Sequence, residues 1–207
     1  MEYTDFLTEY EKRLEEEQKI HFPIILASAS PRRRELISKI AENYRVEVSS
    51  AEEILPEGID ALKAPEYLAE LKADAVAKDY NGQIVIGCDT VVILEGKILG
   101  KPKDREDAFC ILKSLSGKTH SVVSGVCITD SDTKAVFSTK SEVTFKTLSD
   151  REINDYIDTD ECWDKAGAYA IQGGAGKFVE SVSGSVYNII GFPISQIKKE
   201  LLLKFGQ

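Results

Sequence analysis

A chain of 207 residues, 43% hydrophobic and 29% charged, has the make-up of a globular protein with one good-sized core, which excludes the collagen-like and disordered classes. A formal charge of −9 and a pI near 4.9 argue against broad nucleic-acid binding, which relies on an excess of Lys and Arg to displace counterions, yet leave room for a small anion held by a local basic cluster. Cys88, Cys110, Cys127 and Cys162 show no CxxC pair and no zinc-like spacing, so reduced thiols in a cytoplasmic protein are expected; no apolar run approaches the roughly 20 residues that cross a bilayer, so no membrane partner is.

Taken in order, residues 1–21 set Tyr3, Phe6, Leu7, Tyr10 and Leu14 on one helical face among many Glu and Lys. That pattern predicts an amphipathic helical extension laid on the body or on a partner chain, ahead of a single domain over residues 22–207. Ile24-Ile25-Leu26 is a short apolar run of the kind a buried strand gives. Ser30 suits an N-cap and Pro31 the first helical position, and Arg32-Arg33-Arg34-Glu35-Leu36-Ile37 continues the helix. Arginines add positive charge to an end that is already positive, so several gathered there call for an anionic partner. A solvated basic helix start and a phosphate site both fit this stretch alone.

A short strand is predicted over 45–48, then a loop to Gly58 with Glu52 and Glu53, then a helix from Pro65 to about Tyr80 carrying Lys72. Gln83 to Leu94 is the strongest strand signal, turned by Glu95-Gly96-Lys97 into a hairpin with Ile98 and Leu99. Its centre holds Asp89, and a carboxylate there is costly to bury unless it is paired, hydrogen-bonded or on a metal. The residue is either a structural cap at a bulge beside Gly87 or a catalytic or metal-binding group at the mouth of a sheet.

Lys101 and Lys103 follow, before a helix from Asp104 to Leu115. Ser116-Gly117-Lys118-Thr119 resembles the end of a P-loop but lacks the upstream glycine and the preceding strand. Strands are predicted over 119–129 and 134–146, with His120 a structural hydrogen-bonder rather than a base. Ser149 to Glu152 reads as a capping box opening a helix to Asp158. A loop with four glycines then runs from Asp164 to Gly176, and its Gln172 offers both a donor and an acceptor. Such a loop could read a nucleobase or be a tight hairpin. Residues 178–182 and 185–190 are expected as short strands, and 193–205 as a closing amphipathic helix.

Together these segments resemble the Maf family of nucleoside triphosphate pyrophosphatases. The resemblance rests on Leu26 to Leu36 (LASASPRRREL), Gly87 to Val92 (GCDTVV), Gly100-Lys101-Pro102, Leu115 to Val122 (LSGKTHSV), Asp164 to Gly173 (DKAGAYAIQG) and Gly191 to Ile194 (GFPI), in that order. It implies an α/β fold: a long mixed twisted sheet flanked by helices, two lobes with a central cleft, similar to the inosine triphosphate pyrophosphatase-like fold. It also implies cleavage of a nucleoside triphosphate to monophosphate and pyrophosphate with a divalent cation, Mg²⁺ or Mn²⁺, and a homodimer. Asp89 matches the catalytic carboxylate and an expected metal ligand, with Glu52 or Glu53 as the acidic partner. Ser28, Ser30, Arg32, Arg33 and Lys101 match phosphate-facing positions, and Lys72 a basic one, with Lys78 an alternative.

Asp164, Lys165 and Gln172 sit in the late motif, which resembles that of the branch acting on dTTP and UTP. The branch acting on 7-methyl-GTP places a Glu near Gln172. A neutral amide can meet both the O4 and the N3–H of uracil or thymine, whereas a carboxylate only accepts. Thr90 and Arg32 match the other positions linked to substrate choice. Cys88 departs from the small residue expected there. A competing expectation is a nucleotide-binding regulatory module of septum formation or division arrest, with little turnover.

Overall fold

The structure is a computed structural model that describes residues 18–206; the expected helix over 1–21 lies, up to residue 17, outside them. Residues 18–21 are not helical: Ile20 bridges Ala41 in parallel, donating to the Ile40 carbonyl at 2.8 Å. A seven-stranded mixed sheet follows. Its strands are β1 (Ile24–Ala27), β2 (Tyr44–Val46), β3 (Ile84–Leu94), β4 (Lys97–Leu99), β5 (Thr119–Thr129), β6 (Lys134–Phe145) and β7 (Val179–Ser183). They run in the order β2-β1-β3-β5-β6-β7, with β4 on β3. β1 pairs in parallel with β2 and β3, whereas β4 on β3 and β7 on β6 are antiparallel.

The helices are α1 (Pro31–Ile40), α2 (Ala64–Ala77), α3 (Arg105–Leu115), α4 (Asp150–Ile157), α5 (Val186–Ile190) and α6 (Ile194–Lys204). The chain forms two compact units. Of the described residues, one holds those up to Asp89, Ser124–Thr139 and those from Gly191 on; the other holds Thr90–Val123 and Lys140–Ile190.

In the first unit β1 is buried along its whole length and β3 over most of it, as continuous apolar runs in parallel sheets require. Helix α2 covers them with small residues. Ala69, Ala73, Val76 and Ala77 pack against Ile25, Ala27, Val85 and Cys127. Two glycines let this helix lie flush on the strands. A Cβ added at Gly87 on β3 would sit 2.1 Å from the Ala69 carbonyl, and one at Gly125 on β5 would sit 2.1 Å from the Pro65 backbone. Any side chain at either place would push α2 away from the sheet, and with it Lys72, which α2 carries.

The second unit has an aromatic core. Phe145 meets Tyr169 and Phe178 edge to face, Tyr156 meets Phe178, and His120 meets both Phe145 and Tyr169, with ring centres 4.9–6.0 Å apart. Such T-shaped contacts place the positive rim of one ring on the negative face of the next. Helix α4 opens with the expected capping box, Ser149 and Glu152 each satisfying the other's backbone N–H.

One segment differs from the sequence expectation. Residues 186–190 form α5 rather than a strand. All five are buried, and a short apolar run reads alike as buried strand or buried helix. Here the Asn188 side chain decides, donating to the Val122 carbonyl and the Ser141 hydroxyl, both at 2.9 Å. The glycine-rich loop is not a hairpin. It holds two 3₁₀ turns, Ala166–Ala168 and Gly174–Phe178.

Candidate active site

In the first unit the site begins where β1 stops. Ser28 and Ser30 shape the turn into α1: the Ser28 hydroxyl accepts from the Ser30 N–H at 3.2 Å, and the Ser30 hydroxyl caps the Arg33 N–H. With Pro31 at the first helical position and no acidic residue in the first turn, the helix presents an uncompensated positive end, suited to an anion. Arg32 and Arg33 are half-buried and Arg34 is exposed. Arg33 turns inward. Its Nε donates to the Gly191 carbonyl at 2.9 Å, and its Nη1 to the Cys88 carbonyl at 2.7 Å and the Ser28 hydroxyl at 3.4 Å.

Asp89 lies in the middle of β3 with its side chain 14% exposed. The cost of holding a carboxylate there is offset by Lys72, whose Nζ donates to Asp89 Oδ1 at 2.6 Å. The same ammonium meets Glu53 Oε2 at 2.9 Å. One cation thus gathers two carboxylates, one fixed on a strand and one on an irregular loop, and the arrangement depends on the close α2–β3 contact that Gly87 allows. Lys78, exposed just past the end of α2, and Glu52, exposed on the loop, are not part of this cluster. The spacing of the loop and helix left both pairs open; the buried face of α2 selects Lys72. Cys88, next to Asp89, is fully buried, and that burial pushes its thiol up and keeps it neutral.

The second unit carries the remaining candidates: Thr90, Lys101, Asp164, Lys165 and Gln172. Lys101 and Gln172 are exposed, and Lys165 pairs with the neighbouring Asp164. The loop from 164 to 174 is braced along its length. The Gly167 N–H donates to the Gly100 carbonyl at 3.0 Å, beside Lys101. The Ala170 N–H donates to the Tyr156 hydroxyl at 3.1 Å, and the Gly174 N–H to Glu161 Oε2 at 2.7 Å. Tyr169 is buried and shares a 2.8 Å hydrogen bond with His120 Nε2. Desolvation holds His120 down at about 4, against the opposing pull of Glu142, so the ring is neutral near pH 7 and serves as the structural hydrogen-bonder its position suggested. Tyr156, Tyr169 and Glu161 were not singled out by sequence. Their signal was the glycine loop itself, which needs outside partners for its backbone groups.

A protein-family model described as Maf-like protein matches residues 23–203. The chain belongs to the Maf-like family. Curated relatives within reach include a dTTP/UTP pyrophosphatase of Desulforamulus reducens, 45% identical over 89% of this chain and 97% of that one. Proteins of the same name from Clostridium novyi and Bacteroides thetaiotaomicron are 46% and 44% identical, over 85% and 87% of this chain and 94% and 95% of theirs. Among solved structures, a nucleoside-triphosphatase / dITP/XTP pyrophosphatase of Mycobacterium abscessus is a distant likeness. Its TM-score is 0.42 and its identity 16%, over 61% of this chain and 76% of that one.

Proposed function

We infer that this chain is a nucleoside triphosphate pyrophosphatase that hydrolyses dTTP and UTP at the α–β phosphoanhydride, yielding the monophosphate and pyrophosphate. Membership of a family whose curated relatives carry that activity in their names supports the substrate class. The observation that carries the chemistry is the Asp89–Lys72–Glu53 cluster. A carboxylate in mid-strand, fixed by a lysine and facing a second carboxylate, is what a water-activating site needs and what a structural cap does not.

Lys72 holds one oxygen of Asp89, and the other takes the proton of the attacking water as the new O–P bond forms at the α-phosphorus. The Pα–O–Pβ bridge breaks on the opposite side, and pyrophosphate leaves with the bridging electrons. Arg32, the positive end of α1 and Lys101 stabilise the charge that develops on the leaving group, while Ser28 and Ser30 hold the turn in place. Gln172, on the loop that Asp164 and Lys165 open, reads the O4 and N3–H edge of the pyrimidine, with Thr90, next to Asp89 in the chain, contributing to substrate choice.

A divalent cation suits this donor set. Among the described residues no three His, Cys, Asp or Glu side chains converge, but Mg²⁺ is commonly held by one or two carboxylates with substrate phosphates and water completing its shell. Asp89 and Glu53 supply those two, with Glu52 next to Glu53 on the same loop. When bound, the cation would neutralise phosphate charge and make water more acidic. The four free cysteines favour a reducing compartment such as the cytoplasm, and a homodimer is the expected assembly.

The test is pyrophosphate release from a panel of triphosphates with Mg²⁺ or Mn²⁺, comparing the native chain with Asp89→Asn. Release from dTTP and UTP should fall by about 10³-fold or more in the variant. Unchanged release would sink the role of Asp89. A triphosphate that raises the melting temperature without being consumed would favour a binding module instead.

A further inference from the structure

Arg33 stands in the run that the sequence assigned to phosphate binding, yet its Nε and Nη1 donors are engaged by the Gly191 and Cys88 carbonyls and the Ser28 hydroxyl. We propose that Arg33 is a positioning residue that acts through Asp89, locking the Cys88–Asp89 peptide and the Gly191 turn to the start of α1, rather than a ligand of the triphosphate.

Three observations lead there. First, the parallel pairing of β1 with β3 ends at Ala27 opposite Gly87. The Cys88 carbonyl is therefore one residue past the last rung, and the Arg33 Nη1 donor at 2.7 Å takes the place of the missing strand. That carbonyl and the Asp89 N–H belong to one planar peptide unit, so fixing it restrains the Cα from which the Asp89 side chain springs.

Second, the Nε of Arg33 holds the Gly191 carbonyl at 2.9 Å, and the Cys88 thiol lies 3.4 Å from the same oxygen. One guanidinium thus ties three separated segments together: the β1–α1 turn, the middle of β3 and the approach to α6. Third, the fork is what makes this workable. A planar guanidinium can serve two carbonyls and the Ser28 hydroxyl at once, whereas the point charge of a lysine on a flexible stem cannot reproduce that geometry. Arg32 lies about 100° away around the helix axis, so the two side chains leave the helix in different directions.

The inference rests on the proposed pyrophosphatase reading, and the experiment separates the two. Pyrophosphate release from dTTP with Mg²⁺ is measured for the native chain, Arg33→Lys, Arg32→Ala, Asp89→Asn and the double variant Arg33→Lys with Asp89→Asn, with thermal melts to establish that each is folded. No release by the native chain would overturn the reading of function. With an active native chain, Arg33→Lys is expected to lower kcat about 10- to 100-fold while KM for dTTP stays within about twofold. In the Asp89→Asn background the same change should alter the residual rate less than about twofold, because the group it positions is gone. Arg32→Ala should instead raise KM. A raised KM with unchanged kcat in Arg33→Lys, or equal losses in both backgrounds, would overturn the proposal. Should Arg33→Lys not fold, Arg33→Gln is taken with a non-hydrolysable α,β-methylene analogue of dTTP: an affinity within about twofold of native supports positioning, and a tenfold loss contradicts it.

Discussion

The cluster around Asp89 and the loop around Gln172 are built by opposite means. The first is held by full charges: Lys72 between Asp89 and Glu53, and Arg33 on two backbone carbonyls. The second is held mainly by neutral partners: a buried imidazole on a tyrosine hydroxyl, a tyrosine hydroxyl on a backbone N–H, and edge-to-face rings. The difference follows from what each would have to recognise. Phosphate chemistry needs charge that is already in place and does not have to reorganise. Reading a pyrimidine edge needs a donor and an acceptor set at a fixed distance, which a rigid, braced loop supplies. Damage to the first region should therefore appear in kcat, and damage to the second in selectivity.

The comparison breaks most visibly at Lys72. Replacing it by Met leaves Asp89 and Glu53 without their shared cation, and kcat for dTTP should fall by about 10²–10³-fold with little change in the ratio of dTTP to UTP turnover. Steady-state assays on both nucleotides check this; a change confined to that ratio would contradict the division of labour.

Gln172→Glu tests the other side. It keeps the loop's shape but exchanges a donor for an acceptor, so kcat/KM for dTTP and UTP should drop about 10- to 100-fold while pyrophosphate remains the product. Competition between dTTP and 7-methyl-GTP is the sharper measure, and an unaltered preference would remove Gln172 from the role of base reader.

The smallest effect separates the regions by pH. His120 has a folded pKa of about 4 against an unfolded value near 6.5. Between those values the unfolded chain binds a proton that the folded chain refuses, so this contribution is fully present above about pH 6.5 and is lost as the pH falls toward 4. From pH 7 to pH 5 it amounts to on the order of 1–2 kcal/mol. Urea unfolding of the native chain and His120→Phe at both pH values should show a smaller pH difference in the variant. An identical difference would mean that His120 is not held neutral by burial.

Much of this was legible in the sequence, and the exceptions have physical causes. The Ser30 cap, the Pro31 start and the Ser149–Glu152 box each rest on interactions within a few residues of one another, which local pattern reports well, and the polar centre of β3 stands out because a carboxylate interrupts an apolar run. For the basic position on this helix the sequence leaves Lys72 and Lys78 open, and it does not link either to Asp89, because helix phase alone does not say which face a helix buries. The bonds from Arg33 to Cys88 and Gly191 span 55 and 158 residues, and no local pattern carries that information. The strand expected over 185–190 is a helix for a related reason: burial is visible in the sequence, but the partner that fixes the segment's shape, Val122 for Asn188, lies 66 residues away.

The central claim is that water, activated at Asp89, attacks the α-phosphorus. Hydrolysis of dTTP in ¹⁸O-labelled water, followed by phosphorus NMR, tests it most directly. The account predicts equimolar dTMP and pyrophosphate with the label in dTMP. Label in pyrophosphate would place the attack on the β-phosphorus, and dTDP with labelled orthophosphate would place it on the γ; either result would contradict the account.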